Sequence, residues 1–468
     1  MGDEISPPPP PPPQNGHVLL LPYPGQGHVN PMIHFGRRLI SRGLRATLLT
    51  SVFISQSTNL ASPVGGVHLD AISDGFDGGG FSQAASIDDY LRRLKEAGSS
   101  TLSDLITKYE TTPYPVTALV YEPFLPWALD VAKDHGLYAA SFFTQPCAVD
   151  FIYYNIRHGL LKLPVDTWPV RVPGWAVELE PRDVPSFVNA PEAYPAYFAM
   201  VVNQFSNTDK ADHVLINTYY ELEKEALDTM SKVCPVLAIG PTVPSIYLDN
   251  RIPNDDEYGV DLFTLQRSTA TTWITTKPPN SVIYVAFGSM VTFPPAQMTE
   301  LASGLKRTNH PFIWVIRDTE LAKLPHTFVH DLGDSALVVN WAPQQVEILA
   351  SGKVGCFFTH CGWNSTIEAL SLGIPMVAFP QWTDQPPNAK LVEDVWRAGV
   401  RVTVEEDGMA RGEELERCLR EVMEGESGRE MKRSVEKWRE LAVLAVSEGG
   451  SSDQSLDEFV ARVKSVSS

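Results

Sequence analysis

Apolar residues in this chain fall into two alternating patterns: short unbroken runs, and longer stretches with an apolar position every three or four residues. HVLLLPY, from His17 to Tyr23, is an unbroken run and predicts a fully buried strand. Asn30-Pro31 then offers a helix cap and a first-turn proline, and Met32, Ile33, Gly36, Leu39 and Ile40 share one face of the helix that follows. A second strand from Leu44 to Ser51 completes a βαβ unit, which implies a parallel sheet. Apolar runs near Ala118–Tyr121, Ala139–Phe143 and His213–Asn217 extend this half.

Between Gly240 and Ser268 the pattern dissolves into Pro, Asn and acidic residues, which read as a linker. A second alternation opens with Ser281–Ser289 and a helix carrying Met298, Leu301, Ala302 and Leu305 on one face. It continues through the runs PFIWVIR, ALVVNWA, VGCFFTH and PMVAFP. The expected architecture is α/β, with two doubly wound Rossmann-like domains facing a cleft. Expected boundaries are a proline-rich leader at 1–16, an N-terminal domain at 17–245, a linker at 246–272, a C-terminal domain at 273–450, and a terminal helix at 451–468 that packs back on the first domain. In such sheets ligands sit beyond the carboxyl ends of the strands, so chemistry is expected at the interdomain cleft.

The chain has 468 residues, 43% of them hydrophobic, which is enough to bury two cores. A formal net charge of -19 without a dense basic run argues against nucleic acid and anionic membranes as partners. The five scattered cysteines fit free thiols in a reducing compartment, so the cytosol is the expected location. MGDEIS followed by Pro7–Pro13 lacks the basic start and apolar centre of a signal peptide. No apolar run approaches the roughly 20 residues of a membrane span. A monomer is expected.

The segment HCGWNSTIEAL follows an apolar run and opens a helix, with Gly362 allowing close backbone approach and Asn364 or Ser365 suited to the cap. Alone it is an ordinary capped helix; a diphosphate would sit well on its N-terminus. Trp341 offers a broad face for an aromatic base, although a tryptophan after a strand also suits a core. In order and spacing, WAPQQ at Trp341–Gln345, HCGWNS at His360–Ser365, Glu368 and Asp384-Gln385 resemble the signature box of plant-type family 1 UDP-glycosyltransferases. GHVNP near the N-terminus and the overall length extend the resemblance over nearly the whole chain.

That resemblance implies the GT-B architecture, with an N-terminal acceptor-binding domain and a C-terminal UDP-sugar-binding domain. It implies that Trp341 stacks on uracil with Ala342 reading the base edge, and that Gln344 and Glu368 hold the ribose. His360, Asn364, Ser365 and Ser289 would contact the diphosphate, with Gly27 nearby. Trp363, Asp384 and Gln385 would grip the sugar, and a final glutamine points to UDP-glucose as co-substrate. No tightly bound cofactor and no metal are expected: Cys356, His360 and Cys361 lack a second ligand pair, and Asp255-Asp256 falls in the linker.

Gly25-Gln26-Gly27-His28 follows the first strand, so Gly27 would turn the chain and His28 would face the cleft. A histidine there can take the acceptor proton as the oxygen attacks the anomeric carbon, which inverts configuration. The family commonly supplies an aspartate partner; this chain has Glu122, whose longer side chain either serves the same role or points elsewhere. Phe124, Phe151, Phe187, Phe205 and Trp382 match acceptor-side regions, or are simply core. The FPQWTDQ and TQPCAV segments resemble the subgroup acting on small carboxylic acids, phenolics, thiohydroximates, trichothecenes or steroids. Two alternatives compete. PGQGH opening a βαβ unit suggests an NAD(P)-dependent oxidoreductase, but the third glycine position of that fingerprint holds Asn30. The Glu122 departure and the leader suggest a non-catalytic nucleotide-sugar binding protein.

Overall fold

The computed structural model describes residues 16–57, 63–253, 255, 267–324, 328, 332–340 and 345–466. The leader at 1–15, much of the expected linker, and the candidate donor residues Trp341, Ala342 and Gln344 lie outside the described residues.

Two parallel sheets dominate. The first comprises β1 (His17–Leu21), β2 (Arg45–Ser51), β3 (His68–Ile72), β4 (Ala118–Tyr121), β5 (Tyr138–Phe143), β8 (His213–Ile216) and β9 (Val236–Ala238) in the order β3-β2-β1-β4-β5-β8-β9. A short antiparallel ribbon pairs β6 (Val170–Arg171) with β7 (Glu178–Leu179). The second large sheet contains β10 (Val282–Ala286), β11 (Phe312–Val315), β12 (Ala336–Val339), β13 (Val354–Thr359), β14 (Met376–Ala378) and β15 (Gly399–Arg401), ordered β12-β11-β10-β13-β14-β15. Central strands β1, β10 and β13 are buried throughout, which is why they read as unbroken apolar runs. Strand order reverses between β1 and β4 in one sheet and between β10 and β13 in the other. Crevices beyond the carboxyl ends of these pairs are the natural ligand sites.

The first helix, α1 (Gln26–Ile40), departs from expectation. It starts a turn before Asn30-Pro31, with Gly25 at the cap and no side-chain bond there. The Tyr23–Gly25 turn, closed by Gly25 N–H to the Tyr23 carbonyl at 2.7 Å, already launches the helix. Asn30 and Pro31 are therefore buried inside it. Gly36 lets α1 lie against the sheet, since a Cβ there would come within 2.9 Å of Leu20 Cδ1.

Aromatic side chains knit the halves together. The Trp363 indole N–H donates to the Asn217 carbonyl at 2.7 Å, and that of Trp396 to the Leu222 carbonyl at 3.2 Å. Tyr219 returns a bond to the Trp438 carbonyl at 3.1 Å. Each ring is a large apolar body with one polar atom, and each satisfies that atom across the seam. At the other end of the chain, the helix Ser451–Val466 lies on the first domain. Leu456, Phe459, Val460 and Val463 join the cluster of Leu20, Phe35 and Phe142. Arg42 at the end of α1 pairs with Asp457 at 2.7 Å, and Arg37 pairs with Asp255 at 2.8 Å.

His17 titrates in this core. The Tyr114 carbonyl accepts from Nδ1 at 2.9 Å, leaving Nε2 to accept from the Thr47 hydroxyl at 2.8 Å. Burial pushes its pKa down from 6.5 to about 4, with the Tyr114 carbonyl opposing. The unfolded chain therefore takes up this proton first, and stability is lost as pH falls from about 6.5 towards 4, by on the order of 3 kcal/mol. Melting temperatures measured across that window should fall with pH, and His17→Asn should flatten part of the slope; an unchanged slope would exclude His17 as a contributor.

Candidate active site

His28 lies in the first turn of α1, just beyond β1, with its side chain 24% exposed. Its Nδ1 lies 3.0 Å from Thr144 Oγ1 and 3.3 Å from Glu122 Oε1. The Thr144 hydroxyl donates to Glu122 at 3.3 Å, so its lone pair is presented to an Nδ1–H. Glu122 follows β4 directly, is buried, and is anchored by its backbone N–H to the Leu21 carbonyl at 2.8 Å. Its side chain thus takes the first of the two courses open to it and reaches the imidazole. With Nδ1 committed, Nε2 is the nitrogen left with a lone pair for the cleft. Tyr23 and Phe124 pack against the ring at 5.4 and 5.6 Å.

Facing this pair is the helix Trp363–Leu372, which starts beyond β13. Gly362 is its cap and makes no side-chain bond, so Asn364 and Ser365 occupy the first turn rather than the cap position expected of them. The Asn364 amide donates to the Gly27 carbonyl at 2.7 Å, across the cleft. Ser365 Oγ and Glu368 Oε2 both accept from Gln345 Nε2, at 3.1 and 2.6 Å. His360 is wedged between Gly288 and Gly362, where an added Cβ would meet its Nε2 at 2.7 and 2.6 Å. Burial lowers its pKa to about 4 against the opposing Ala286 carbonyl, so the ring is uncharged at neutral pH. Ser289, on the same loop as Gly288, turns its carbonyl to Arg317 at 2.7 Å.

Asp384 and Gln385 close this side. Asp384 accepts from Thr383 at 2.6 Å and Asn388 at 2.7 Å, while burial holds its pKa above the usual carboxylate range. Gln385 Oε1 accepts from the backbone N–H groups of Gln381 and Trp382 at 2.9 and 3.1 Å. Thr383 has φ of 58°, an outlier for a β-branched residue. Two bonds to Ser186 of the first domain, 2.7 and 3.0 Å, hold it there.

A family model described as UDP-glucoronosyl and UDP-glucosyl transferase matches residues 266–436. UDP-glycosyltransferase 74F2 of Arabidopsis thaliana is 50% identical over 97% of this chain and 99% of its own length. The chain belongs to the UDP-glycosyltransferases. A second relative, flavonol 7-O-beta-glucosyltransferase UGT74F1 from the same plant, is 48% identical over 96% of this chain and 98% of its own. Among solved structures, Os79 from O. sativa in complex with UDP is similar with a TM-score of 0.91 at 41% identity, covering 95% of this chain and 100% of that one. The two parallel-sheet domains of this glycosyltransferase are accordingly the GT-B arrangement, and the oxidoreductase reading is set aside.

Several residues of the glycosyltransferase sit differently from expectation. Gly27 does not turn the chain: it is helical, has no positive φ, and a Cβ would sit 3.5 Å from Asn364 Nδ2, an ordinary contact. The Trp363 side chain faces inward and its indole N–H is spent on Asn217, so the ring itself offers no donor to the cleft. Phe187 and Trp382 meet at 5.8 Å in an aromatic box completed by Tyr194 and Tyr197, neither of which the sequence singled out. Phe151 and Phe205 leave the group. Phe151 stacks on Tyr154, and Phe205 stacks on Phe143 beside a cavity of about 430 Å³ that also involves Arg157, His158 and Cys234. Thr144, Gln345 and Ser186 were also missed; Thr144 was accessible from its position just past β5. Among the described residues, no cluster of three or more His, Cys, Asp or Glu is arranged to hold a metal, and no helix is long and apolar enough to cross a membrane.

Removing the carboxylate behind His28 should cost turnover rather than folding. Glu122→Ala is expected to lower kcat about 10- to 100-fold with little change in UDP-sugar KM, and Thr144→Val to lower it less, with Thr144→Ser restoring it. Steady-state kinetics with unchanged kcat in Glu122→Ala would remove Glu122 from the machinery.

Proposed function

We propose that this enzyme transfers glucose from UDP-glucose to a hydroxyl or carboxyl group of a small hydrophobic acceptor, with inversion and without a metal. The observation that carries this reading is the His28–Glu122 pair directly opposite the uncapped N-terminus of the Trp363–Leu372 helix. His28 Nε2 removes the acceptor proton as the acceptor oxygen forms its bond to the anomeric carbon and the bond to the diphosphate breaks. Glu122 stabilises the imidazolium, and UDP leaves with its charge held by the helix N-terminus and by Asn364, Ser365, His360 and Ser289. A single displacement on an α-linked donor yields a β-glucoside or β-glucose ester.

Trp341 and Ala342 are assigned to uracil, Gln344 and Glu368 to the ribose, and Asp384 and Gln385 to the glucose hydroxyls. The flavonol 7-O-glucosyltransferase name of one relative and the binding of U2F and trichothecene by Os79 favour a flat or polycyclic acceptor. Phe124, Tyr23, Tyr197 and Trp382 supply aromatic walls of that kind. Five buried free thiols and the acidic balance fit a cytosolic monomer.

Phenolic, carboxylic and steroid acceptors incubated with UDP-glucose and chelator, and read by mass spectrometry, are expected to gain one hexose in the β configuration with release of UDP. His28→Ala should lose about 10²- to 10⁴-fold in rate. UDP binding without product from any acceptor would favour the non-catalytic binding protein instead.

A further inference from the structure

Pro31 occupies an interior position of α1, where most residues would donate a backbone N–H to the carbonyl four positions earlier. That carbonyl belongs to Gly27, the residue preceding His28. Proline has no N–H, and the carbonyl is taken instead by the Asn364 amide from the other domain, at 2.7 Å. The cleft-crossing bond therefore occupies the acceptor that Pro31 cannot use.

We propose that Pro31 is a positioning residue: by withholding its N–H it leaves the Gly27 carbonyl to Asn364, and that bond ties the placement of His28 to the donor-binding helix. An amide nitrogen carries two hydrogens, so the bond to Gly27 leaves the second available to a phosphate oxygen. A diphosphate that orders this amide thereby also orders the peptide leading into the base. This last step rests on the assignment of Asn364 to the diphosphate.

The test is a double-mutant cycle on the full chain. Pro31→Ala supplies the missing N–H, which then competes with the Asn364 amide for the Gly27 carbonyl and weakens that bond. It should lower kcat about three- to tenfold, the worth of one hydrogen bond, while UDP affinity by calorimetry changes less than about twofold. In an Asn364→Ala background the same substitution should have almost no effect on kcat. Pro31→Ser, which supplies the same N–H with a different side chain, should behave like Pro31→Ala and replaces it if that variant folds poorly. Equal losses from Pro31→Ala in both backgrounds would overturn the proposal, since a loss of packing alone is additive. Failure of the diphosphate assignment reads differently: Asn364→Ala would then leave UDP affinity intact, whatever the cycle gives.

Discussion

The bond from the Trp363 indole to the Asn217 carbonyl is the constraint around which the site is arranged. An indole N–H taken out of water must find an acceptor, and this one finds it just beyond β8 in the opposite domain. Trp363 is also the first residue of the Trp363–Leu372 helix, so the demand of one buried side chain fixes where that helix begins relative to the first sheet. Trp396, packed 6.0 Å from Trp363, makes the same demand on Leu222. The seam thus carries both dispersion and directed hydrogen bonds, and it holds the strand ends of the two sheets face to face.

Within that frame the electrostatics are set by burial. His360, enclosed between two glycines, is kept neutral by burial, so the ring brings hydrogen-bonding atoms rather than charge to the cleft. Asp384 is shifted towards its protonated form by the same effect. Asp150 goes further: it is fully buried, neither carboxylate oxygen has a hydrogen-bond partner, and burial together with Glu223, Glu122 and Asp384 raises its pKa well above the ordinary range. Burial thus favours its protonated form over the charged one.

Strain is stored where the two domains touch the candidate sugar site. Cys361 and Thr383 both take positive φ values, one at the mouth of β13 and the other in the turn before Asp384. Thr383 is fixed by paired bonds to Ser186, and the carbonyl of Cys361 is bound by Asn388 at 2.9 Å. These contacts over-determine conformations that an isolated loop would not hold. The turn before Asp384 is consequently held by both domains, although its residues all come from one.

The sequence alone determined the two alternating α/β halves, the strand positions and the family, because buried parallel strands and a glycine-flanked helix start leave local patterns that need no distant partner. His28 and Glu122 were also legible, as residues just past the strands on either side of a switch point. Direction and partnership were not. Whether Glu122 reached His28 and whether Phe205 lined the cleft depended on how neighbouring elements of the first domain packed, and whether Trp363 faced a sugar or the seam depended on what the opposite domain presented. Asn30-Pro31 read as a helix start because cap propensity is local, whereas the true start was set by the turn leaving β1. For the buried side chains tertiary structure decided, since a buried polar atom or ring is placed by the neighbour that satisfies it, and those neighbours lie far away in the chain.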